Sequence, residues 1–410
     1  MKERKAVTKA TAERYVGAGK KEKGRILDEF VVLTRYNRSY ARYVLRHFGE
    51  SGKRLRPRES IKRKKVYDEA VLAVLREVWE ILDYICGKRL QPVLAETIRA
   101  LEQFGEMKLS DETREKLGLI SAATIDRLLA TERKKYQLRG RARTRPGSLL
   151  KKQIPIRTFS DWDEQKPGFA EMDLVAHDGG SSFGDFLQTL NVTDVYSSWC
   201  EMQGVMNKAQ VRVFAALKQI RTRLPFKLLG LDSDNGSEFI NDQLFRYCQS
   251  ERLTFTRSRP YRKNDNCFVE QKNYTAVRRH VGYQRLEGEE ALKTLNDLYY
   301  YLRLYINYFQ PVMHLASKER EGSRVKRTYS SAETPFQRLL RSQHVSKKRK
   351  EKMWREYKSL NPAELKRRTG ALQEKLLRMG VQARRKNYNA GPTHPWRQPS
   401  GGLKHQKHLE

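Results

Sequence analysis

Cysteine is scarce: Cys86, Cys200, Cys248 and Cys267 stand alone in 410 residues, with no Cys-x-x-Cys pair. That spacing excludes a zinc framework or a disulfide scaffold and leaves a reducing, cytosolic compartment as the expectation. The eight histidines are equally scattered, none at zinc-finger spacing from a cysteine. Long apolar runs are missing too. No segment approaches the roughly 18 residues needed to span a bilayer, so no membrane partner is expected. The start, Met1-Lys2-Glu3-Arg4-Lys5, has no apolar stretch behind it, so no secretory signal is expected. Acidic residues are the last shortage, 48 against 83 lysines and arginines, a formal charge of +35. A charge that large repels itself unless a polyanion neutralises it, and nucleic acid is the obvious one. A solvated basic surface or a structural RNA-binding protein would account for the charge alone equally well. With 38% hydrophobic and 32% charged residues the chain is a folded one with basic surfaces, long enough for two to four domains.

The periodicity changes several times. In residues 1–60 a polar start leads into a helical face (Ile26, Leu27, Phe30, Val31, Leu33), a break at Arg35-Tyr36-Asn37, and a second helix with Tyr40, Val44 and Leu45. Two short helices about a tight turn predict a helix-turn-helix. Arg38, Arg42 and Arg46 form one basic stripe on the second helix, either a DNA-reading face or a solvated one. Arg54, Arg56 and Arg58 continue the charge around Pro57, in a segment suited to a phosphate backbone. Residues 61–138 read as a second helical DNA-binding domain, with Ser121 capping its last short helix. Residues 139–154, with Arg141, Arg143 and Arg145 between Gly140 and Pro146, read as a basic linker.

From 155 to 310 the pattern predicts strands over 169–175, 186–192, 199–205, 227–231 and 254–257. Helices are predicted over 208–222 and 241–250, from about 266, and over 290–310. Three strands, helix, strand, helix, strand, helix is the order of an RNase H-like mixed α/β domain. Residues 311–390 are basic, extended near 318–327 and then largely helical, a region for DNA binding or assembly. Residues 391–410, rich in proline and glycine, read as a disordered tail. The fold class is therefore multidomain: α-helical helix-turn-helix N-terminal domains, an RNase H-like α/β catalytic domain and a basic, largely helical C-terminal region.

Three segments carry chemistry. Ala170-Glu171-Met172-Asp173-Leu174-Val175 is a strand with an acid at its centre; Leu231-Asp232-Ser233-Asp234-Asn235-Gly236 is a strand running into an acid and a turn; Phe268-Val269-Glu270-Gln271-Lys272-Asn273 is a helix start bearing an acid. Taken singly, each has a plain alternative: a strand-edge Asp, a hairpin turn signal, a solvent-facing helix charge. Together they suit transfer of a DNA phosphodiester, in which two Mg²⁺ ions roughly 3.5–4 Å apart serve the attacking and leaving oxygens. Mg²⁺ takes hard oxygen ligands and keeps several waters, so a few carboxylates suffice.

These segments resemble the integrase catalytic core shared by retroviral integrases and bacterial insertion-sequence DDE transposases. In that family the second acid opens an Asp-Asn-Gly turn, as Asp234 does, and the third lies in a Val-Glu-x-x-Asn helix start, as Glu270 does. The family keeps about 35 residues between those acids; here 270 − 234 = 36 leaves 35 between them. The resemblance implies Asp173, Asp234 and Glu270 as catalytic and metal-holding residues, with Asp173 bridging two Mg²⁺ (or Mn²⁺) ions. Asp232, lacking the Asn-Gly partner, is the rival for the second place. Asn273 is implied to support the site or touch DNA. The retroviral lysines one and two turns beyond the Glu are replaced by Tyr274 and Val277; Lys272, Arg278 and Arg279 are expected to substitute for them, and Tyr274 to stack on a base. The implied activity is transposition: binding terminal inverted repeats of double-stranded DNA, Mg-dependent cleavage, and strand transfer into target DNA by a homodimer or larger assembly, in a bacterial cytoplasm at the nucleoid. Two other expectations stay open, a metal-dependent nuclease of RNase H-like fold and an inactive transposase-derived DNA-binding regulator.

Overall fold

The computed structural model describes residues 2–48, 66–135, 165–234, 236, 238–239, 241–258, 266–321 and 324–389. It divides into two compact units, Met1–Val66 and Tyr67–Glu410. Among the described residues no helix is long and apolar enough to cross a membrane.

The first unit is three helices, α1 (Lys2–Gly17), α2 (Lys20–Thr34) and α3 (Arg38–Arg46). Their small core is Ala12, Tyr15, Ile26, Leu27, Phe30, Ala41 and Leu45. The break expected at residues 35–37 is there. Arg35 takes a left-handed conformation with its amide on the Val31 carbonyl, and the Asn37 side chain accepts the Ser39 amide to open α3. Two details differ from the sequence reading. Helix α1 goes unseen in the periodicity because it buries little besides Ala12 and Tyr15, leaving no apolar stripe. Leu33 and Tyr40, expected in the core, are exposed, because the α3 residues that meet α2 are Ala41 and Leu45.

The second unit opens with α4 (Glu69–Ile81), α5 (Gly87–Gln103), α6 (Asp111–Leu119), α7 (Ala122–Leu128) and α8 (Ala130–Lys135). Asp68, Ser110 and Ser121 each accept an amide of the following helix at the N-cap, so Ser121 acts as its sequence suggests. Helices α5 and α7 meet so closely that a Cβ on Gly87 would lie 2.2 Å from the Ala122 carbonyl oxygen.

A five-stranded sheet follows: β1 (Phe169–Ala176), β2 (Gln188–Asp194), β3 (Cys200–Val205), β4 (Gly230–Ser233) and β5 (Thr254–Arg257), ordered β3-β2-β1-β4-β5. β1, β2 and β3 are antiparallel neighbours; β4 and β5 run parallel to β1. Helices α9 (Gln210–Arg223) and α10 (Asp242–Ser250) cover the Met172 face, where Val213, Leu217, Phe239 and Leu244 gather. On the other face lie α11 (Cys267–Lys272), a π-helical turn (Asn273–Arg278), α12 (Arg279–Val281) and the long α13 (Gly288–Phe309). The arrangement is an integrase-like RNase H fold with a mixed sheet. β4 sits later than the predicted 227–231, because the apolar run Leu228-Leu229 marks burial rather than strand pairing; pairing begins where Gly230 meets Phe169.

The C-terminal part adds a hairpin, β6 (Leu315–Glu321) with β7 (Arg324–Tyr329), then α14 (Pro335–Arg341), α15 (Lys347–Ser359) and α16 (Pro362–Asn389). Helix α16 packs along α13. The sequence pattern separates 61–138 from 155–310, but the described parts share one core, in which Trp79 and Leu90 join Met172, Leu190 and Trp199. Polar contacts reinforce the join. The Tyr305 hydroxyl donates to the Ile81 carbonyl at 2.5 Å, Arg89 donates to the Pro311 carbonyl at 2.6 Å, and Asp83 pairs with both Arg279 and Lys366. Such long-range pairings leave no trace in local periodicity.

One buried ion cluster ties the sheet to its covering helices. Glu201 on β3 is fully buried, 2.8 Å from Arg303 of α13 and 3.1 Å from Arg223 of α9, and accepts the Trp199 indole N–H. Removing the carboxylate would strand one buried and one half-buried guanidinium group, those of Arg303 and Arg223. Glu201→Ala is therefore expected to cost roughly 3–5 kcal/mol of stability, read as a lower urea midpoint at unchanged slope.

Candidate active site

The parallel pairing of β1 and β4 sets the site. Met172 is level with Ser233, so the next residues, Asp173 and Asp234, stand side by side where β4 ends. Glu270 enters in the first turn of α11, which packs against β1 and β2. Asp173 feels the other two directly: burial, then the charge of Asp234, then that of Glu270, push its carboxyl up to about 7. Two hydrogen bonds oppose the shift, from the Leu174 amide at 2.8 Å and from Asn273 Nδ2 at 2.6 Å. Asn273 is held in turn by Asn191 of β2, whose Nδ2 donates to its Oδ1 at 2.8 Å. Asn273 opens the π-helical turn, a local widening of the helix. Asp234 accepts the Gly236 amide at 2.9 Å, closing the turn its sequence predicts, and its carboxyl is raised by burial and by the nearby charge of Glu238. Asn235 lies outside the described residues.

Among the described residues, no three His, Cys, Asp or Glu side chains stand close enough to form a ready metal cage. The donor set nevertheless suits a hard divalent cation. Burial first, then the charges of Asp234 and Glu270, raise the Asp173 carboxyl, and a bound cation would relieve the repulsive part.

A second pair of acids lies two residues deeper on the same strands. Glu171 and Asp232 are register partners on β1 and β4, and both are fully buried. Glu171 Oε2 accepts the Val269 amide at 2.8 Å. Asp232 accepts the Thr256 hydroxyl. In the amide orientation that pairs donor with acceptor, Asn266 donates to Asp232 Oδ2 at 2.9 Å and accepts the Asp234 amide at 3.3 Å. Asp232, the rival for the second acid, thus spends its oxygens inside the fold. Glu171 escaped the sequence reading, although the alternation Glu171-Met172-Asp173 places it on the face of Asp173.

The basic residues fare unevenly. Arg38, Arg42 and Arg46 are exposed on α3, Arg38 bonded to Asp28. Tyr274 is 53% exposed. Lys272 is a correction. It is only 5% exposed, and burial lowers its pKa to about 8, so it does not present its ammonium at the surface as expected. The reason is helical phase: Lys272 lies on the inward side of α11, near Cys200 of β3, while Glu270 and Gln271 face outward. Arg279 is engaged by the Asp83 carboxylate at 2.8 Å, and Arg278 lies over the Tyr283 ring at 4.8 Å, its pKa lowered by burial. Arg54, Arg56, Arg58, Arg141, Arg143 and Arg145 lie outside the described residues.

Residues 163–263 match the integrase core domain family, and with the sheet order above this defines an integrase-like transposase catalytic core. The chain as a whole belongs to the family of the uncharacterized protein y4rM of Sinorhizobium fredii (strain NBRC 101917 / NGR234). The two are 43% identical over 340 residues, covering 82% of this chain and 95% of y4rM. Among solved structures, the catalytic core domain of BIV integrase is 19% identical, covering 43% of this chain and 95% of that one at a TM-score of 0.29. The HTLV-2 integrase catalytic core domain, solved in complex with magnesium, is 13% identical over 35% of this chain and 89% of that one, at a TM-score of 0.27.

The raised carboxyl of Asp173 has a measurable sign. Between about 4 and about 7 the folded protein keeps a proton that the unfolded chain, with an ordinary aspartate near 3.8, has released. Stability from this group is therefore present at low pH and lost as pH rises through 7. The buried neutral His177 and His280 work the other way, since their pKa values fall to about 3 and about 4. The difference between Asp173→Asn and the parent isolates the first effect. Without divalent cation, the variant's melting temperature is expected to gain on the parent's from pH 4 to pH 8, and added Mg²⁺ to narrow the gap. A constant difference across that range would refute the assignment.

Proposed function

We propose that this protein is a DNA transposase that binds terminal inverted repeats, nicks the element ends and joins the freed 3′-hydroxyls to target DNA. The observation that carries the reading is the Asp173 carboxyl, raised by burial and then by the charges of Asp234 and Glu270, with Asp173 and Asp234 inside the stretch that matches the integrase core domain and Glu270 just beyond it. Asp173, central on a rigid strand, would hold divalent ions, two Mg²⁺ (or Mn²⁺), together with Asp234 and Glu270. When bound, the ions supply Lewis-acid activation of the attacking oxygen and stabilisation of the leaving one. The protein's own part is placement. β1 and β4 fix two carboxylates on neighbouring strands, the Gly236 amide steadies Asp234, and Asn273 steers Asp173 through Oδ2. Tyr274, exposed one turn beyond Glu270, is suited to stacking on a base.

The charge of +35 supports DNA as the partner. α3, with Arg38, Arg42 and Arg46 outward, is the reading's helix for end recognition, in a helix-turn-helix arrangement with α2. The α6–α7 pair would be the second. Two ends must be brought together, so a homodimer or larger assembly is part of the proposal, at the nucleoid of a bacterial cell.

The decisive assay uses Mg²⁺ and duplex DNA carrying the element's terminal repeats. The parent is expected to give cleaved and joined products. Asp173→Asn and Glu270→Gln should each lower both by at least about a hundredfold, because several kcal/mol of transition-state stabilisation depend on metal held there. Cleavage without joining would favour a nuclease; no products from the parent would leave only a DNA-binding regulator, and products from all three proteins alike would remove these acids from the chemistry. In a separate binding titration, Arg42→Ala should weaken end binding and reduce the slope of log affinity against log salt by about 1. An unchanged slope would remove α3 from the DNA interface.

A further inference from the structure

We infer that Glu171 and Asp232 are positioning residues that set the backbone on which two of the three active-site acids ride: Glu171 the first turn of α11 carrying Glu270, and Asp232 the end of β4 carrying Asp234. The role in catalysis rests on the function proposed above; the hold on α11 does not.

A helix start leaves its first amides without intrahelical partners, and a nearby side chain normally accepts one of them. Asn266 occupies the N-cap of α11 but makes no capping bond. Its amide reaches instead to Asp232 Oδ2 and to the Asp234 amide, tying β4 to the start of the helix. The acceptor for α11 comes from 98 residues earlier: Glu171 Oε2 takes the Val269 N–H at 2.8 Å, immediately before Glu270. With only six residues before the π-helical turn, α11 has little internal bonding to hold it.

Glu171 is a costly way to make that bond. It is 0% exposed, its Oε1 has no hydrogen-bond partner, and it sits against the charges of Asp232 and Glu270. A local Ser or Asp cap would supply the same hydrogen bond without burying an acid. What a local cap would not supply is a rigid link from the strand of Asp173 to the helix of Glu270. Glu171 and Asp173 share one face of β1 two residues apart, so the spacing between the first and third acids is transmitted through one side chain and its hydrogen bonding to the start of α11. Asp232 does the corresponding work on β4. Thr256 of β5 and Asn266 fix its two oxygens, and Asn266 passes the constraint to the Asp234 amide.

The test uses full-length Glu171→Met, which keeps the volume but removes the acceptor, and Glu171→Gln, which keeps an acceptor oxygen. Amide exchange over residues 266–274, Mn²⁺ binding to the free protein, and turnover at saturating DNA are measured, with melting temperature and DNA affinity as controls. Glu171→Met is expected to lose protection at the start of α11, to bind Mn²⁺ about tenfold or more weakly, and to lose turnover in step, while DNA affinity holds. Glu171→Gln should restore protection and most of the Mn²⁺ binding. Full protection in Glu171→Met, equal damage from both variants, or loss of DNA affinity in proportion to turnover would overturn the inference. If parent and Asp173→Asn bound Mn²⁺ equally, the proposed metal role would fail, and exchange at α11 would still decide whether Glu171 holds the helix.

Discussion

Four acids on two adjacent parallel strands are the constraint around which this fold is arranged. Glu171 stands beside Asp232, and the next outward pair is Asp173 beside Asp234. Burial first raises the carboxyls of Glu171, Asp173 and Asp234, and repulsion adds to it, from Asp232 and Glu270 on Glu171, from Asp234 and Glu270 on Asp173, and from Glu238 on Asp234. Neutral hydrogen-bonding groups contain it: Thr256 and Asn266 around Asp232, the Val269 amide on Glu171, Asn273 and Asn191 around Asp173. Salt bridges are used elsewhere, as at Glu201 and Asp83, where the purpose is to join elements.

This division explains why α11 matters more than its length suggests. Helix and π-helical turn together bring Glu270 outward, Asn273 onto Asp173 and Lys272 inward, three directions within four residues. Widening at the π turn lets Asn273 reach β1 while Val277 stays buried below. The packing that buries Lys272 also withdraws one basic residue from any DNA-facing surface, leaving Tyr274 as the exposed group one turn past the acid.

The helical region 67–135 belongs to this framework through Asp83, which pairs with Arg279 just past the π turn and with Lys366 on α16. Helix α12, which follows the π-helical turn, is thereby tied to segments from both ends of the second unit. Stability and site geometry share these contacts, so a change in the helical region can reach the acids without touching them.

Local rules made much of this legible from the sequence. The alternating strand around Asp173, the turn after Asp234, the acid at a helix start and the Ser121 cap are each written within a few neighbouring residues, and hydrogen bonding or periodicity of that range survives folding unchanged. Those segments also carried the family likeness. What only the tertiary structure decided depends on partners far apart in the chain. Glu171 becomes a helix cap only because β1 lies under α11, Asp232 is held inside the fold only because Thr256 and Asn266 occupy its oxygens, and Lys272 is buried among residues as distant in sequence as Cys200, Arg89 and Arg338. The union of the 67–135 helices with the sheet has the same origin: shared apolar burial between segments a hundred residues apart has no period to read.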